Sequence, residues 1–187
     1  IGKADWIIIT PVDEILYHRN LIRYLSRCTK RGVTAIPAMG FQMICNEYPK
    51  SGTHITAEIK TGVYFEKMNK LSVFNPTEIE NTNFEIGRHK AIPEGNLQYP
   101  RRDVLLNLHY KYLGFKHTYA RHQALNLKIR AFDKSKDWGH RYKWDKARFQ
   151  ENWEYFKNAA IDNVFNPMKR KKHLNAHQPE KWWRKSD

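Results

Sequence analysis

The sequence contains no long hydrophobic run and has two cysteines. No stretch approaches the roughly 20 consecutive apolar residues of a membrane-spanning helix, and the first residues lack the apolar core and cleavage site of a signal peptide. Cys28 and Cys45 do not have the spacing of metal-binding or redox pairs, which argues against a zinc site and a disulfide framework. These absences predict a soluble protein of a reducing compartment, cytoplasmic or peripheral to the inner face of a membrane.

The motifs of several common enzyme classes are also absent. The chain has no glycine-rich phosphate-binding loop, no HExxH metalloprotease motif and no GxSxG nucleophile motif. Neither cysteine carries the local signature of a catalytic nucleophile. The sequence therefore argues against P-loop nucleotide hydrolysis, zinc proteolysis, and serine or cysteine hydrolysis.

What is present is enough apolar material for one folded domain. Of the 187 residues, 41% are hydrophobic and 13% aromatic, which is too much for a disordered chain. The formal net charge is +14, from 33 Lys and Arg against 19 Asp and Glu. Such a surface attracts polyanions, anionic lipid headgroups or phosphorylated small molecules. Because the chain lacks an initial Met and reaches an apolar strand within a few residues, we expect it to be a piece of a longer protein.

The beginning of the chain has the pattern of a strand, an acidic turn, a helix and further strands. A continuous apolar run over 6–10 predicts a strand that is covered on both faces and ended by Pro11. A helix is predicted from Asn20, its N-cap, to Gly32. The β-forming stretch 33–45 is interrupted by a proline and a glycine, so it forms either two short strands or one bent strand.

The remainder predicts more strands, two helices and a basic tail. Residues 46–70 lack periodicity and are expected to form a long loop with one short strand or helix. Apolar residues at helical spacing predict one helix over about 119–132 and a second, capped by Asp145, over about 149–160. Residues 167–187 are basic with little to form a core, which predicts a flexible tail. Three segments are strand candidates: Leu71 to Phe74, Asn83 to Ile86 and Val104 to His109.

The stretch Thr10-Pro11-Val12-Asp13-Glu14 is the most informative one for chemistry. It places two carboxylates after a strand, and ligands of open α/β sheets bind at the carboxyl ends of strands. Hard divalent cations take carboxylate oxygens there and share a substrate diphosphate. On this interpretation Asp13 and Glu14 end an interior strand and face a cleft that His109 also reaches. The alternative is a structural turn whose acids cap the next helix.

Four later residues could complete such a site. His109 ends a predicted strand, where an imidazole either binds a divalent cation or is simply structural. Lys111 is a candidate phosphate contact, or else solvated surface charge. His89 follows a glycine in a turn, where it could bind a sugar hydroxyl or a phosphate. Glu47 lies in a predicted loop, where a carboxylate can deprotonate an acceptor hydroxyl or merely be solvated.

Taken in order, these segments resemble the family 2-like glycosyltransferases. That family has a strand that leads into an aspartate-x-aspartate-glutamate motif, an aromatic or aliphatic pair and Tyr-His, and residues 4–18 are similar to it. The resemblance spans about residues 4–163 and rests on the order and spacing of its motifs. The further matches are Gly40-Phe41-Gln42-Met43, Glu47-Tyr48-Pro49, Lys70 through Phe74-Asn75-Pro76, Gly87-Arg88-His89 with Pro93-Glu94-Gly95, Leu108-His109-Tyr110-Lys111-Tyr112-Leu113-Gly114, Tyr119 with Arg121, and Trp138-Gly139-His140-Arg141-Tyr142-Lys143-Trp144.

The resemblance implies an α/β fold of the GT-A type, with a mixed sheet flanked by helices over 1–166 before the basic tail. It also implies a divalent cation, Mn²⁺ or Mg²⁺, that binds the diphosphate of a nucleotide-sugar donor. Carried over by position, Asp13 and His109 are metal ligands, Glu14 is a supporting acid at the donor, and Glu47 is the acceptor base. The implied partners are that donor, a glycan, lipid or protein acceptor, and an anionic membrane surface.

Two departures from the family pattern weaken the implied activity. Pro11 stands where the family usually has its first aspartate, so one carboxylate ligand is missing. The first half of such enzymes, which holds the nucleotide base and ribose, is missing as well. We therefore expect this chain alone to bind the donor poorly.

Two other functions fit parts of the sequence. A basic chain with Trp182 and Trp183 could bind nucleic acid by phosphate neutralisation and base stacking. Because the positive charge is partly concentrated in the tail, a nonspecific electrostatic arm is favoured over a specific nucleic-acid reader. Pro11 favours a third alternative, a degenerate glycosyltransferase-like protein without activity.

Overall fold

The computed structural model describes residues 4–50, 52, 54–178 and 180–184, apart from the side chain of Lys134. It confirms an α/β protein in which helices flank a mixed sheet. The described residues form two compact units. The first comprises 4–42, 64–109 and 171–184, and the second comprises 43–63 and 110–170.

Among the described residues, six strands form the main sheet and two form a separate pair. In chain order the strands are β1 (Ile7–Ile8), β2 (Glu14–Tyr17), β3 (Ala35–Cys45), β4 (Gly62–Tyr64), β5 (Lys70–Phe74), β6 (Ile79–Asn81), β7 (Glu94–Gly95) and β8 (Leu106–Leu113). The sheet order is β1-β5-β3-β8-β2, with β4 on β3, and β6 pairs with β7. β1 and β3 are antiparallel to β5, and β2 is antiparallel to β8. β3 and β8 run in the same direction, since Met39 N–H donates to Leu105 O and, farther along both strands, Gly114 N–H donates to Cys45 O.

Six α-helices are described. They are α1 (Leu21–Thr29), α2 (Ile55–Glu58), α3 (Phe115–Lys128), α4 (Ala131–Ser135), α5 (Lys146–Ala159) and α6 (Pro167–His177). Single 3₁₀ turns cover Glu66–Met68, Ile86–Arg88, His140–Lys143 and Trp182–Arg184. In the part of the chain that the structure describes, no helix is long and apolar enough to cross a membrane.

Two predicted helix starts are confirmed, and one open alternative is decided. The side chains of Asn20 and Asp145 each accept a hydrogen bond from the first turn of α1 and of α5, as N-caps do. The stretch 33–45 contains one bent strand rather than two, because β3 continues through a register shift between Ile36 and Pro37. Proline has no N–H to donate to the sheet, so an irregularity at this point is expected.

One predicted strand is shorter and more exposed than expected, and another is absent. In place of a covered strand over 6–10, β1 has two residues at the edge of the sheet, and Ile8 is 45% exposed. Residues 83–86 are all described and form no strand, since the extended chain lies earlier, in β6. Asn83 has a φ of 43°, and this left-handed backbone is incompatible with a continuing strand.

Three further segments differ from expectation. Residues 46–70 hold more than one short element, namely α2, β4, a 3₁₀ turn and the first residue of β5, apart from two positions outside the described residues. β8 continues beyond His109, so this histidine lies inside a strand rather than at its end. The helix predicted over 119–132 is divided into α3 and α4 by extended backbone at Ile129.

The two units have cores of different character. In the first, apolar side chains of β3 and β5 pack against α1, with Ile36, Val73 and Leu105 fully buried. In the second, aromatic rings of α5 surround Tyr112, whose ring centroid lies 5.0 Å from that of Phe156. Aromatic pairs of this kind contribute more than their buried area alone.

The prediction of a flexible basic tail is wrong for the described residues after 166. α6 begins at Pro167, and His173 on α6 is 7% exposed. Trp183 is 5% exposed, and Trp182 packs against an apolar cluster that includes residues of β5. Buried in this way, Trp183 offers no surface on which a base could stack. Residues 185–187 of the predicted tail lie outside the described residues.

One carboxylate holds the segment 181–184 in place. Asp103 accepts hydrogen bonds from Lys181 Nζ at 2.8 Å, Trp183 Nε1 at 2.9 Å and Arg184 Nη2 at 2.8 Å, and its side chain is 7% exposed. Burial acts to raise the pKa of Asp103, but the hydrogen bonds from Lys181, Arg184 and Trp183 outweigh it and lower the pKa below its ordinary value. A composition argument could not identify this partner, which lies far away in sequence.

Asp103→Asn should therefore destabilise the protein by about 2 kcal/mol at pH 7, after allowance for solvent screening at the partly exposed Lys181 and Arg184. Because the folded pKa is depressed, the carboxylate stabilises the fold above its unfolded pKa, and this contribution is lost as the pH falls through the folded pKa. Urea unfolding at pH 7 and pH 3 measures both effects. Asp162→Asn, at an exposed ion pair with Lys169, is the control and should have no measurable effect. Equal effects of the two variants would contradict an anchoring role for Asp103.

Candidate functional site

A tight turn brings Asp13 and Glu14 to the start of β2. Glu14 N–H donates to Pro11 O at 3.1 Å, and Val12 at the tip of the turn is 100% exposed. β2 pairs antiparallel with β8 so that Glu14 lies opposite His109. The two acids thus lie at the amino end of an edge strand, and the prediction that they end an interior strand is wrong.

Direct strand pairing nevertheless brings Asp13, Glu14 and His109 together. One potential ligand atom from each of the three residues lies within 4.8 Å of the other two. Asp13 Oδ2 lies 3.5 Å from His109 Nε2. The side chain of Asp13 is 28% exposed and that of His109 is 10% exposed, so solvent reaches the cluster mainly at Asp13.

Both carboxylate oxygens of Glu14 already have buried partners. Lys70 Nζ donates to Glu14 Oε1 at 2.5 Å, and the side chains of both residues are 3% exposed. Asn107 Nδ2 donates to Glu14 Oε2 at 2.7 Å and also to Met68 O at 3.1 Å. The role of Glu14 at a donor remains a prediction, while its role as the buried counter-ion of Lys70 is observed. Asn107 Oδ1 is buried without a hydrogen-bond partner, so it can accept from a water or a ligand.

Reciprocal hydrogen bonds fix the ring of His109. Gln42 Nε2 donates to His109 O at 2.9 Å, and this orientation turns Gln42 Oε1 toward His109 Nδ1 at 2.8 Å. Since an amide oxygen only accepts, Nδ1 carries a proton, and Nε2 is the ring nitrogen left for another partner. Nε2 faces the carboxylate of Asp13. An imidazole nitrogen and a carboxylate in this arrangement can hold a cation or a proton between them.

The turn before His89 has strained backbone. Gly87 and Arg88 both have left-handed backbone, with φ of 72° and 55°. This costs glycine little, whereas it costs arginine about 1 kcal/mol. The guanidinium of Arg88 donates from Nη1 to Ile9 O at 3.1 Å, while Nη2 is buried without a hydrogen-bond partner. An unpaired guanidinium nitrogen is a ready donor for a ligand oxygen.

His89 lies beside the acidic cluster. Its Nδ1 is 2.6 Å from Lys67 O, so Nδ1 donates and Nε2 is left to accept. The ring packs so closely over Gly87 that a Cβ there would lie 2.7 Å from it. Burial has the largest effect and lowers the pKa of His89 below its ordinary value. The hydrogen bond to the Lys67 carbonyl and the charge of Glu14 act to raise this pKa, and the charge of Lys70 acts to lower it. Its role as a donor contact remains a prediction.

Glu47 and Lys111 belong to the second unit. Glu47 is exposed in the turn after β3, and its carbonyl accepts a hydrogen bond from the Cys45 thiol at 2.9 Å. Lys111 is partly buried in β8, with its Nζ 5.1 Å from the centroid of the Tyr142 ring, which is a cation–π distance. Their assignments as acceptor base and phosphate contact remain predictions.

Sequence reasoning assigned no role to four residues that build the site. Lys70 was placed at the end of the predicted loop 46–70, whereas Gln42 and Asn107 were each visible as a polar residue in an otherwise apolar strand. A buried polar side chain needs a partner. Neither the identity of that partner nor its distance follows from such a pattern. Arg88 appeared in the matched motif Gly87-Arg88-His89, but its contacts depend on a turn with left-handed backbone that the motif does not specify.

Comparisons with protein-family models, with curated proteins and with solved structures find no match for this chain. The family resemblance therefore rests on the sequence motifs. The site geometry described above is independent of it.

Proposed function

We propose that this chain is part of a cytoplasmic glycosyltransferase of the family 2 type with a GT-A-like fold. It would move a sugar from a nucleotide donor to a glycan, lipid or protein acceptor. The order of motifs over about 4–163 supports the proposal. Further support comes from Asp13 and His109, which the resemblance paired as metal ligands and which are neighbours in space despite their distance in sequence.

The observation that carries the proposal is the 3.5 Å approach of His109 Nε2 to the carboxylate of Asp13. A divalent cation accepts both groups as ligands. Since Mg²⁺ prefers oxygen ligands, a carboxylate with an imidazole fits Mn²⁺ better. Both oxygens of Glu14 already accept from buried donors, so Asp13 is the carboxylate more open to a cation. With Pro11 in place of an aspartate, waters and donor oxygens would complete the coordination.

When bound, the cation would neutralise charge on the departing nucleoside diphosphate. The residues of the chain prepare that place. Lys70 cancels the charge of the neighbouring buried carboxylate, so the site does not accumulate negative charge before the donor arrives. Gln42 holds the ring of His109 so that Nε2 faces Asp13. Arg88 offers Nη2 to a donor phosphate oxygen.

The 187-residue chain should bind Mn²⁺ at one site, and Asp13→Asn should weaken this binding at least about tenfold, or ~1.4 kcal/mol. Asparagine keeps the shape of the side chain but removes the charge of the only carboxylate assigned to the cation. Electron paramagnetic resonance of free Mn²⁺ measures the affinity without any donor. Asp5→Asn, which alters an exposed acid in the same unit, is the matched control and should bind as the unaltered chain does.

Pro11→Asp should tighten Mn²⁺ binding, because it supplies the missing carboxylate. The substitution keeps the backbone carbonyl of position 11, which accepts from Glu14 N–H and closes the turn. Equal Mn²⁺ affinity of Asp13→Asn and Asp5→Asn would reject the metal-assisted function. A longer protein that also contains the donor-binding part could bind Mn²⁺ and still transfer no sugar. That result would favour a degenerate glycosyltransferase-like protein.

A further inference from the structure

The second unit contains a buried histidine that has no hydrogen-bond partner. His122 on α3 is 2% exposed, and neither of its ring nitrogens is hydrogen-bonded. The His122 ring packs edge-to-face against the rings of Tyr142 and Phe149, with centroid distances of 5.1 and 5.0 Å. Buried polar groups without partners are rare, and each one needs a physical explanation.

The charged side chains that act most strongly on His122 are all cationic. Lys111 comes from β8, Arg121 from α3 itself and Arg141 from the 3₁₀ turn at 140–143. Burial, followed by these cations, lowers the pKa of His122 to about 4, and the backbone of Arg141 opposes this only in part. From α5, the residue packed on the ring is apolar Phe149. The ring therefore lies neutral in a strongly positive surrounding.

Tyr142 connects the ring to the cations. Lys111 Nζ lies 5.1 Å from the centroid of the Tyr142 ring, which also packs against the ring of His122. Arg141 precedes Tyr142, and its Cζ lies 5.5 Å from the centroid of the Trp144 ring. Both Tyr142 and Arg141 are only partly buried, so solvent reaches the cations from this side. The site is thus a positive, partly exposed surface next to a buried imidazole.

This chemistry selects the ligand. Three cationic side chains repel a metal ion and attract an anion. Arginine and lysine favour phosphate and carboxylate oxygens, and an imidazole that gains a proton becomes a further donor to them. We propose that His122, Lys111 and Arg141 form an oxyanion site in the second unit that binds a phosphoryl group. The site extends beyond the proposed metal site, because Asp13 and His109 both belong to the first unit.

A bound oxyanion should favour the protonated imidazole, so binding and proton uptake are coupled. The sign follows directly: an anion raises the pKa of His122, and anion affinity therefore falls as the pH rises. Sulfate is the best first probe, since unlike phosphate it does not titrate near neutral pH. The competing explanation is a purely structural histidine whose ring edge rests on aromatic faces, and such a ring should titrate alike in sulfate and chloride.

The test follows the His122 Hε1 resonance of the intact chain by NMR as the pH is lowered, in sulfate and in chloride at equal ionic strength. We expect sulfate to raise the titration midpoint by about one pH unit, which corresponds to about tenfold tighter binding to the protonated form. The resonance is identified by its loss in His122→Asn. If that variant fails to fold, sequential assignment of the unaltered chain identifies it instead.

Substitutions separate a built site from general screening by a basic protein. Lys111→Met and Arg141→Met should each reduce the sulfate-dependent shift, whereas Lys128→Met, at an exposed lysine of the same helix as His122, should leave it unchanged. The proposal is overturned if sulfate and chloride give the same midpoint, or if all three variants lose the shift equally.

A second arm distinguishes two sources of the phosphoryl group. Inorganic phosphate and uridine diphosphate are compared at equal concentration in Asp13→Asn, so that the proposed donor site does not contribute. Equal shifts assign the site to free phosphate, and a larger shift with uridine diphosphate assigns it to a nucleotide phosphate. Absence of a shift with both ligands overturns the proposal without affecting the Mn²⁺ measurements on which the proposed function depends.

Discussion

Replacing Lys70 by methionine should lower the free energy of unfolding by about 3–5 kcal/mol. Lys70 and Glu14 form an ion pair at 2.5 Å in which both side chains are 3% exposed. Methionine fills a similar volume but leaves the carboxylate of Glu14 in a dry environment with Asn107 as its remaining polar partner. Removal of one partner of a buried pair costs far more than the pair contributes, because the other charge is left uncompensated.

The matched double variant makes this interpretation testable. Glu14→Gln combined with Lys70→Met removes both charges, so it should recover most of the stability that Lys70→Met alone loses. Lys90→Met, at an exposed pair with Glu85 separated by 3.8 Å, should have no measurable effect. Urea unfolding of Lys70→Met, Glu14→Gln, their double variant, Lys90→Met and the unaltered chain gives the coupling energy. If Lys70→Met were as mild as Lys90→Met, the ion pair would not be a buried structural element.

The Lys70–Glu14 pair also bears on the proposed chemistry. It neutralises one of the two adjacent acids, so Asp13 alone presents a carboxylate that solvent can reach. Together with His109 this makes a two-ligand set rather than the carboxylate-rich set that the acidic motif suggested. Such a set depends on donor oxygens for its remaining ligands, and this couples cation binding to donor binding.

Local structure was predictable wherever it depends on neighbouring residues. The N-caps at Asn20 and Asp145 satisfy N–H groups three residues away, so residue type and apolar spacing were enough to place α1 and α5. β1 was misjudged because burial of a strand depends on its neighbours in the sheet. An apolar run looks the same at an edge as in the interior.

The members of the site were named from motif order, but the reason given for their meeting was wrong. Asp13 and His109 come together through the antiparallel pairing of β2 with β8, which no local pattern specifies. The tail was misjudged for a related reason. Its composition is basic, but one buried acid, Asp103, provides partners for three of its side chains. Contacts between residues so distant in sequence could not be derived from composition.

The second large effect is expected at Gly40, where the residues next to Lys70 pack directly on the backbone of β3. A Cβ at this position would lie 2.7 Å from Met68 Cα and closer still to Met68 Cβ and its carbonyl carbon. Gly40 N–H donates to Asn69 Oδ1 at 2.8 Å, and Gly40 O accepts from Phe65 N–H at 3.0 Å. Backbone atoms, unlike the end of a flexible side chain, cannot move aside without breaking these hydrogen bonds.

Gly40→Ala should therefore destabilise the protein by about 3 kcal/mol, the sum of overpacking and of disturbed hydrogen bonds. Gly32→Ala is the control. Gly32 has a φ of +66° and no atom within 4 Å of an added Cβ, so only left-handed strain remains, at about 1 kcal/mol. Urea unfolding measures both losses. Because the displaced segment leads into Lys70, Gly40→Ala should also weaken Mn²⁺ binding, whereas Gly32→Ala should not. Equal stability losses in the two variants would mean that the chain from Phe65 to Asn69 is not packed against Gly40 in solution, and the buried setting of Glu14 would then lose its structural basis.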